Sequence, residues 1–197
     1  MNIERCPEPV NFKALFKTIP GEAFPKKRTY KGKTIFLADK FPVKNKEKLI
    51  FTIEQTNSRY PQGFCIRLSK GYFTLNGDPT KYKSPTNFLS SEDCEIQVFT
   101  KEGHIFIGNF WEETVFEEHQ NGHFQKEDGT FSHSRVVEYP EGKVEECYIN
   151  SVRWNQGLCN GSAMYSEDIP NGKRYFCNDG VEDDDFDDII FTVTRVP

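Results

Sequence analysis

The chain has no apolar run approaching the roughly twenty residues that a membrane-spanning helix needs. Its first residues, Met1 to Pro7, contain no apolar core of the kind a secretory signal carries. The expected location is therefore cytoplasmic, or secreted by a signal-peptide-independent route. There is no Gly-rich phosphate loop and no strand–helix–strand rhythm, which argues against a nucleotide-binding α/β fold. None of the six cysteines forms a C-x-x-C pair, which argues against a zinc ribbon or a thioredoxin-like site. No Gly-x-Ser-x-Gly elbow marks a hydrolase nucleophile. A 3.6-residue apolar period is not sustained anywhere, so long helices are not expected.

What is present is aromatic and strand-forming. The hydrophobic fraction is only 36%, yet 18 Phe and 8 Tyr supply enough ring surface for a core. At 197 residues the chain can build one sizeable core or two small ones. The sole helical candidate is Val10 to Lys17, where Phe12, Leu15 and Phe16 share a face and Pro20-Gly21 stops the run. Short strands are predicted at Thr34 to Leu37, Leu49 to Ile53, around Gly63 to Leu75, at Tyr175 to Cys177 and at Ile189 to Val196. The spacing also predicts two hairpins. One joins Glu95 to Thr100 with His104 to Ile107, and the other joins Arg135 to Tyr139 with Lys143 to Ile149. The polar stretch Glu112 to Ser134 reads as a long loop. The expected fold is all-β, an antiparallel β-sandwich of jelly-roll type with a short N-terminal arm or helix. Residues 1–30 would form the arm and residues 31–197 the single sandwich domain.

Charge divides the chain in half. Residues 1–100 hold 17 Lys/Arg against 10 Asp/Glu, and residues 101–197 hold 8 against 20. The basic half lacks a nucleic-acid motif, so its lysines are read as guards on strand edges and no nucleic-acid partner is expected. The acidic half is densest near the end: six of the seven residues from Glu182 to Asp188 are acidic and the seventh is Phe186. Such a run repels itself and needs a counter-charge if ordered backbone holds it. A β-branched apolar strand follows at once, so ordered backbone is expected there. Calcium takes several carboxylate oxygens together. Asp183, Asp185 and Asp187 or Asp188 alternate so as to converge on one ion, with Glu182 and Asp179 in reach. Phe186 would point the other way, into the core. Asn178-Asp179-Gly180 supplies the turn. The EF-hand pattern is absent.

Asp179-Gly180-x-x-Asp183-x-Asp185-Phe186-Asp187-Asp188 resembles the calcium loop of the two-calcium fucose/mannose-binding bacterial lectins. It is similar also to the Asp-x-Asp-[Phe/Tyr]-[Asn/Asp]-Asp loop of related β-sandwich modules. The resemblance covers residues 178–197. It implies one calcium on Asp183, Asp185 and Asp188 and a second on Asp185, Asp187 and Asp188. It also implies sugar hydroxyls bound directly to the ions, and a homo-oligomer whose neighbouring chain end completes the second site. This chain departs from the pattern in one extra residue near Glu182, in Asp187 where Asn is usual, and in ending on Pro197.

The function expected is thus a calcium-dependent, lectin-like binding module for carbohydrate or a glycoconjugate, without catalysis. Trp111 and Trp154 are the candidate ring platforms for a sugar, with core packing as the alternative for each. Asn178 lies beside the loop as a further ligand candidate. Two other readings use the same features. An acidic immunity or inhibitor protein would meet a basic protein partner through its charged half. A bacterial toxin or virulence component would use the calcium loop structurally. His119 and His123 have zinc-like spacing, but Asn121-Gly122 breaks the helix that spacing needs. If any cysteines pair, Cys159 and Cys177 are the expected couple.

Overall fold

The structure, a computed structural model, describes residues 12–16, 24–58, 61–83, 86–88, 93–116, 134–138, 144–156, 163–179 and 185–197. Of residues 13, 87, 112–116, 134–138 and 144–156 it describes the backbone alone. These residues fall into two compact units: residues 1–111 with 155–197, and residues 112–154.

The first unit is an antiparallel sandwich. A short helix, α1 (Phe12–Leu15), precedes strands β1 (Lys27–Tyr30), β2 (Lys33–Phe36), β3 (Asp39–Pro42), β4 (Lys48–Thr56), β5 (Gln62–Arg67), β6 (Tyr72–Leu75), β7 (Asp78–Tyr82), β8 (Thr86–Phe88) and β9 (Cys94–Phe99). β10 (His104–Phe116) runs to the end of this unit and beyond it. The chain returns for β13 (Met164–Ile169), β14 (Gly172–Cys177) and β15 (Ile189–Arg195). The larger sheet has the order β1-β2-β13-β14-β15-β4-β9-β6-β7. The facing sheet holds β10, β5 and β8, with β3 on β10. In the second unit β11 (Ser134–Glu138) pairs antiparallel with β12 (Val144–Gln156), which is the second hairpin expected from the sequence. No helix among the described residues is long and apolar enough to cross a membrane.

Period-two alternation builds the core. Cys94, Ile96 and Val98 on β9 face inward, as do Phe64 and Ile66 on β5 and Ile105 and Ile107 on β10. Phe51 on β4, Tyr175 on β14 and Phe191 and Val193 on β15, all of the same sheet as β9, join this core. Phe51 stacks on Phe64 at 4.5 Å, and Tyr175 on Phe191 at 5.0 Å. Burying one such ring stabilises the fold by about 1.5–3 kcal/mol relative to exposing it. Tight turns follow their residues: Asn76 and Gly77 take φ of 48° and 77° between β6 and β7, the mirror-image turn that Asn-Gly favours.

One expected hairpin is not made. β9 and β10 do not pair; β9 lies between β4 and β6, while β10 lies on β3 and β5. The turn at residues 100–103 carries the chain from one sheet to the other. Thr100 is buried there and its hydroxyl donates to Lys70 O at 2.9 Å, while Gly103 O accepts from the Val43 amide. Both strands are half-apolar, so facing across a core satisfies their pattern as well as pairing side by side would. The polar stretch from Glu112 is not all loop either, since β10 continues to Phe116.

A second, smaller core lies on the other face of the large sheet. Phe12 and Phe16 of the N-terminal helical turn cover Ile35, Leu37, Ala163 and Tyr165. The helix covers Phe12–Leu15 of the Val10 to Lys17 span expected, and Val10, Asn11 and Lys17 lie outside the described residues. Cys177 is a free thiol, buried in the main core on the inward face of β14. The Cys159–Cys177 bridge is therefore not formed; Cys159 itself lies outside the described residues.

Candidate functional site

The described ends of the acidic segment, Asn178-Asp179 and Asp185 to Asp188, adjoin β14 and β15. β14 and β15 are antiparallel neighbours with Cys177 opposite Ile189, so Asn178-Asp179 and Asp187-Asp188 leave the sheet side by side. The Asp179 amide donates to Asp188 Oδ2 at 2.7 Å and ties the base of the segment. The end of β4 supports it: the Asn57 amide donates to Asp188 O at 3.0 Å, and Asn57 Nδ2 to Asp187 Oδ2 at 2.7 Å. Ser58 Oγ donates to Asp179 Oδ2.

The facing sheet contributes amides. Gln62 Nε2 on β5 donates to Asp179 Oδ2 at 3.3 Å, and Asn109 Nδ2 on β10 donates to Asn178 O at 2.6 Å. Asn178, Asp179 and Asp188 are buried, as are Gln62 and Asn109. A polar plug thus spans the two sheets where the apolar core stops.

Phe186 anchors the segment. It is 5% exposed and packs edge-on against Phe12 at 5.6 Å and Tyr165 at 5.3 Å. Its φ is 60°, a left-handed conformation costly for a bulky side chain and held only where packing over-determines it. The ring enters the smaller core, on the outer face of the sheet, and not the inter-sheet core.

Electrostatically the segment is strained. The Asp185 carboxyl is held above its ordinary range, first by partial burial and then by the charges of Asp187 and Asp179; the hydrogen bond from the Asp187 amide opposes this only in part. Asp188 and burial together push the Cys177 thiol well above its usual value, with burial the larger cause. Among the described residues no lysine or arginine pairs with Asp185 or Asp187.

Of the predicted metal ligands, Asp179, Asp185, Asp187 and Asp188 are brought to one end of the fold. Glu182 and Asp183 lie outside the described residues. Among the described residues no group of three His, Cys, Asp or Glu is placed to hold a metal ion. Trp111 is 2% exposed, so its indole packs inside and offers no face to a sugar. Trp154 lies on β12 in the second unit, and its side chain is outside those described, as are His119 and His123. Sequence reasoning missed Asn57, Ser58, Gln62 and Asn109. A signal existed for two of them. Asn109 sits in phase with inward Ile105 and Ile107, and Gln62 in phase with inward Phe64 and Ile66. An amide at an inward position is a polar group that needs a partner.

No family model, no curated protein and no solved structure matches the chain.

Proposed function

We propose that the chain is a non-catalytic, calcium-dependent binding module whose acidic segment at 178–188 takes up the ion, with carbohydrate as the ligand. The observation that carries this reading is the approach of Asp187 and Asp179 to Asp185, whose carboxyl is raised first by partial burial and then by their charges, while among the described residues no lysine or arginine pairs with Asp185 or Asp187. A fold spends stability to hold like charges together unless something of opposite sign binds them. Oxygen-only donors favour a hard cation, and calcium accepts irregular sets of carboxylates, carbonyls and water. Asp183 and Glu182, next in the chain, would add to the described carboxylates. Calcium supplies open coordination positions that vicinal sugar hydroxyls can occupy, while neighbouring carboxylates accept the hydroxyl protons as charge-assisted hydrogen bonds.

Calorimetric titration of the chelator-treated protein is the direct test. Heat of binding and a raised melting temperature at millimolar calcium are expected; their joint absence removes the ion from the account. A glycan array run with calcium and again with chelator tests the ligand. Binding that survives the chelator refutes a calcium-bridged sugar, and an empty array favours a basic protein partner for the acidic half.

A further inference from the structure

Two amide oxygens in the polar plug lack a hydrogen-bond partner: Gln62 Oε1 and Asn109 Oδ1. Gln62 is 6% exposed and Asn109 0%. Neither oxygen can be satisfied by turning its amide over. The Gln62 nitrogen faces the Asp179 carboxylate, and the Asn109 nitrogen faces the Asn178 carbonyl. Reversal would set oxygen against oxygen in both cases. Two acidic side chains, Asp179 and Asp188, are buried in the same plug. Buried acceptors on neighbouring strands of one sheet, in a plug that also holds the carboxyl groups following β14 and preceding β15, call for something that accepts oxygen lone pairs. An oxygen set that mixes neutral carbonyls with carboxylates suits a hard cation of calcium type.

We propose that Gln62 Oε1 and Asn109 Oδ1, with the carboxylates of Asp179 and Asp188, form an interior calcium seat between the two sheets, inward of the exposed aspartates. It shares Asp179 and Asp188 with the calcium reading above and rests on it. The seat needs only two acidic ligands. It is thus compatible with the absence, among the described residues, of any cluster of three metal-binding acidic, His or Cys side chains. Because Gln62 and Asn109 lie on strands of one sheet, while Asp179 follows β14 and Asp188 precedes β15 of the other, an ion there would cross-link the sandwich. Its occupancy would then be read directly in stability.

The test compares calcium titrations and calcium-induced melting shifts in the full chain and three single variants. Gln62→Met and Asn109→Leu remove the amide oxygens while keeping much of the side-chain volume. Each should weaken calcium binding by about tenfold or more and shrink the calcium-induced shift. Gln62→Glu guards against simple misfolding. It puts a carboxylate beside Asp179, so it should melt lower than the parent in chelator and show a larger upward shift when calcium is added. Trp111 pairs with Gln62 across β10 and β5, so terbium in the seat should glow when tryptophan is excited. That emission should fall in Trp111→Phe. If the parent binds no calcium, the functional reading fails and the seat falls with it. If the parent binds calcium and Gln62→Met, Asn109→Leu and Gln62→Glu respond as the parent does, the seat alone is refuted, and the two oxygens are solvated by water.

Discussion

Removing the Phe186 ring should uncouple the acidic segment from the fold, and glycine should do so less harmfully than alanine. The ring touches Phe12 and Tyr165 and is buried in the smaller core. Phe-to-Ala changes in cores cost about 3–5 kcal/mol. This cluster lies on the outer face of the sheet and can relax, so Phe186→Ala should cost about 3 kcal/mol. The left-handed backbone at φ 60° adds a second term. Any residue with a Cβ carries about 1–2 kcal/mol of strain there, and glycine escapes it. Glycine gives back about 0.5–1 kcal/mol through its freer unfolded state. Phe186→Gly should therefore be more stable than Phe186→Ala by roughly 0.5–1 kcal/mol, although both lose the same ring. Urea titration followed by near-ultraviolet circular dichroism measures both. In a domain of this size each kcal/mol moves the melting point by about 2–4 °C. An alanine variant within about 1 kcal/mol of the parent would show that the ring does not hold the segment. A glycine variant less stable than the alanine one would show that the backbone is not strained.

Other expectations follow from the same contacts. Asp185 has its folded pKa raised, so its protonated form favours folding, and the penalty of its charge grows as pH rises through that value. Asp185→Asn should thus stabilise the metal-free protein at pH 7 and lose that advantage toward pH 3; denaturation at both pH values in chelator decides, and a destabilised variant at pH 7 would contradict the repulsion. Asp39 is buried and accepts from Lys173 Nζ at 2.8 Å and Tyr175 OH at 2.9 Å. Asp39→Ala strands a charge and a hydroxyl, and a loss of about 3–5 kcal/mol is expected by urea titration, with Asp39→Asn milder. Cys65, Cys94 and Cys177 are buried, and burial pushes the Cys94 thiol up to about 11. Thiol titration at pH 8 should leave all three unmodified until denaturant is added, because the thiolate is the reactive form.

Some of the site could be read in the chain. Asp179, Asp185, Asp187 and Asp188 are conspicuous because like charges so dense before a β-branched strand are unusual, and Phe186 stands out among them as an anchor. Their neighbours Asn57, Ser58, Gln62 and Asn109 come from three other stretches far away in sequence. Only sheet order places them there: β4 lies beside β15, and β5 faces it across the core. The destination of Phe186 shows the same limit. Its burial follows from its chemistry, but whether it enters the inner or the outer core depends on where the N-terminal helical turn packs.

The sequence alone determined an all-β, antiparallel fold, because period-two alternation and turn residues act over a few positions and leave little else for the backbone to do. Tertiary structure decided which strands pair. β9 and β10, joined by a short turn and both half-apolar, could have met edge to edge or face to face, and local preference does not separate those outcomes. Packing of Val98 and Ile107 into one shared core does.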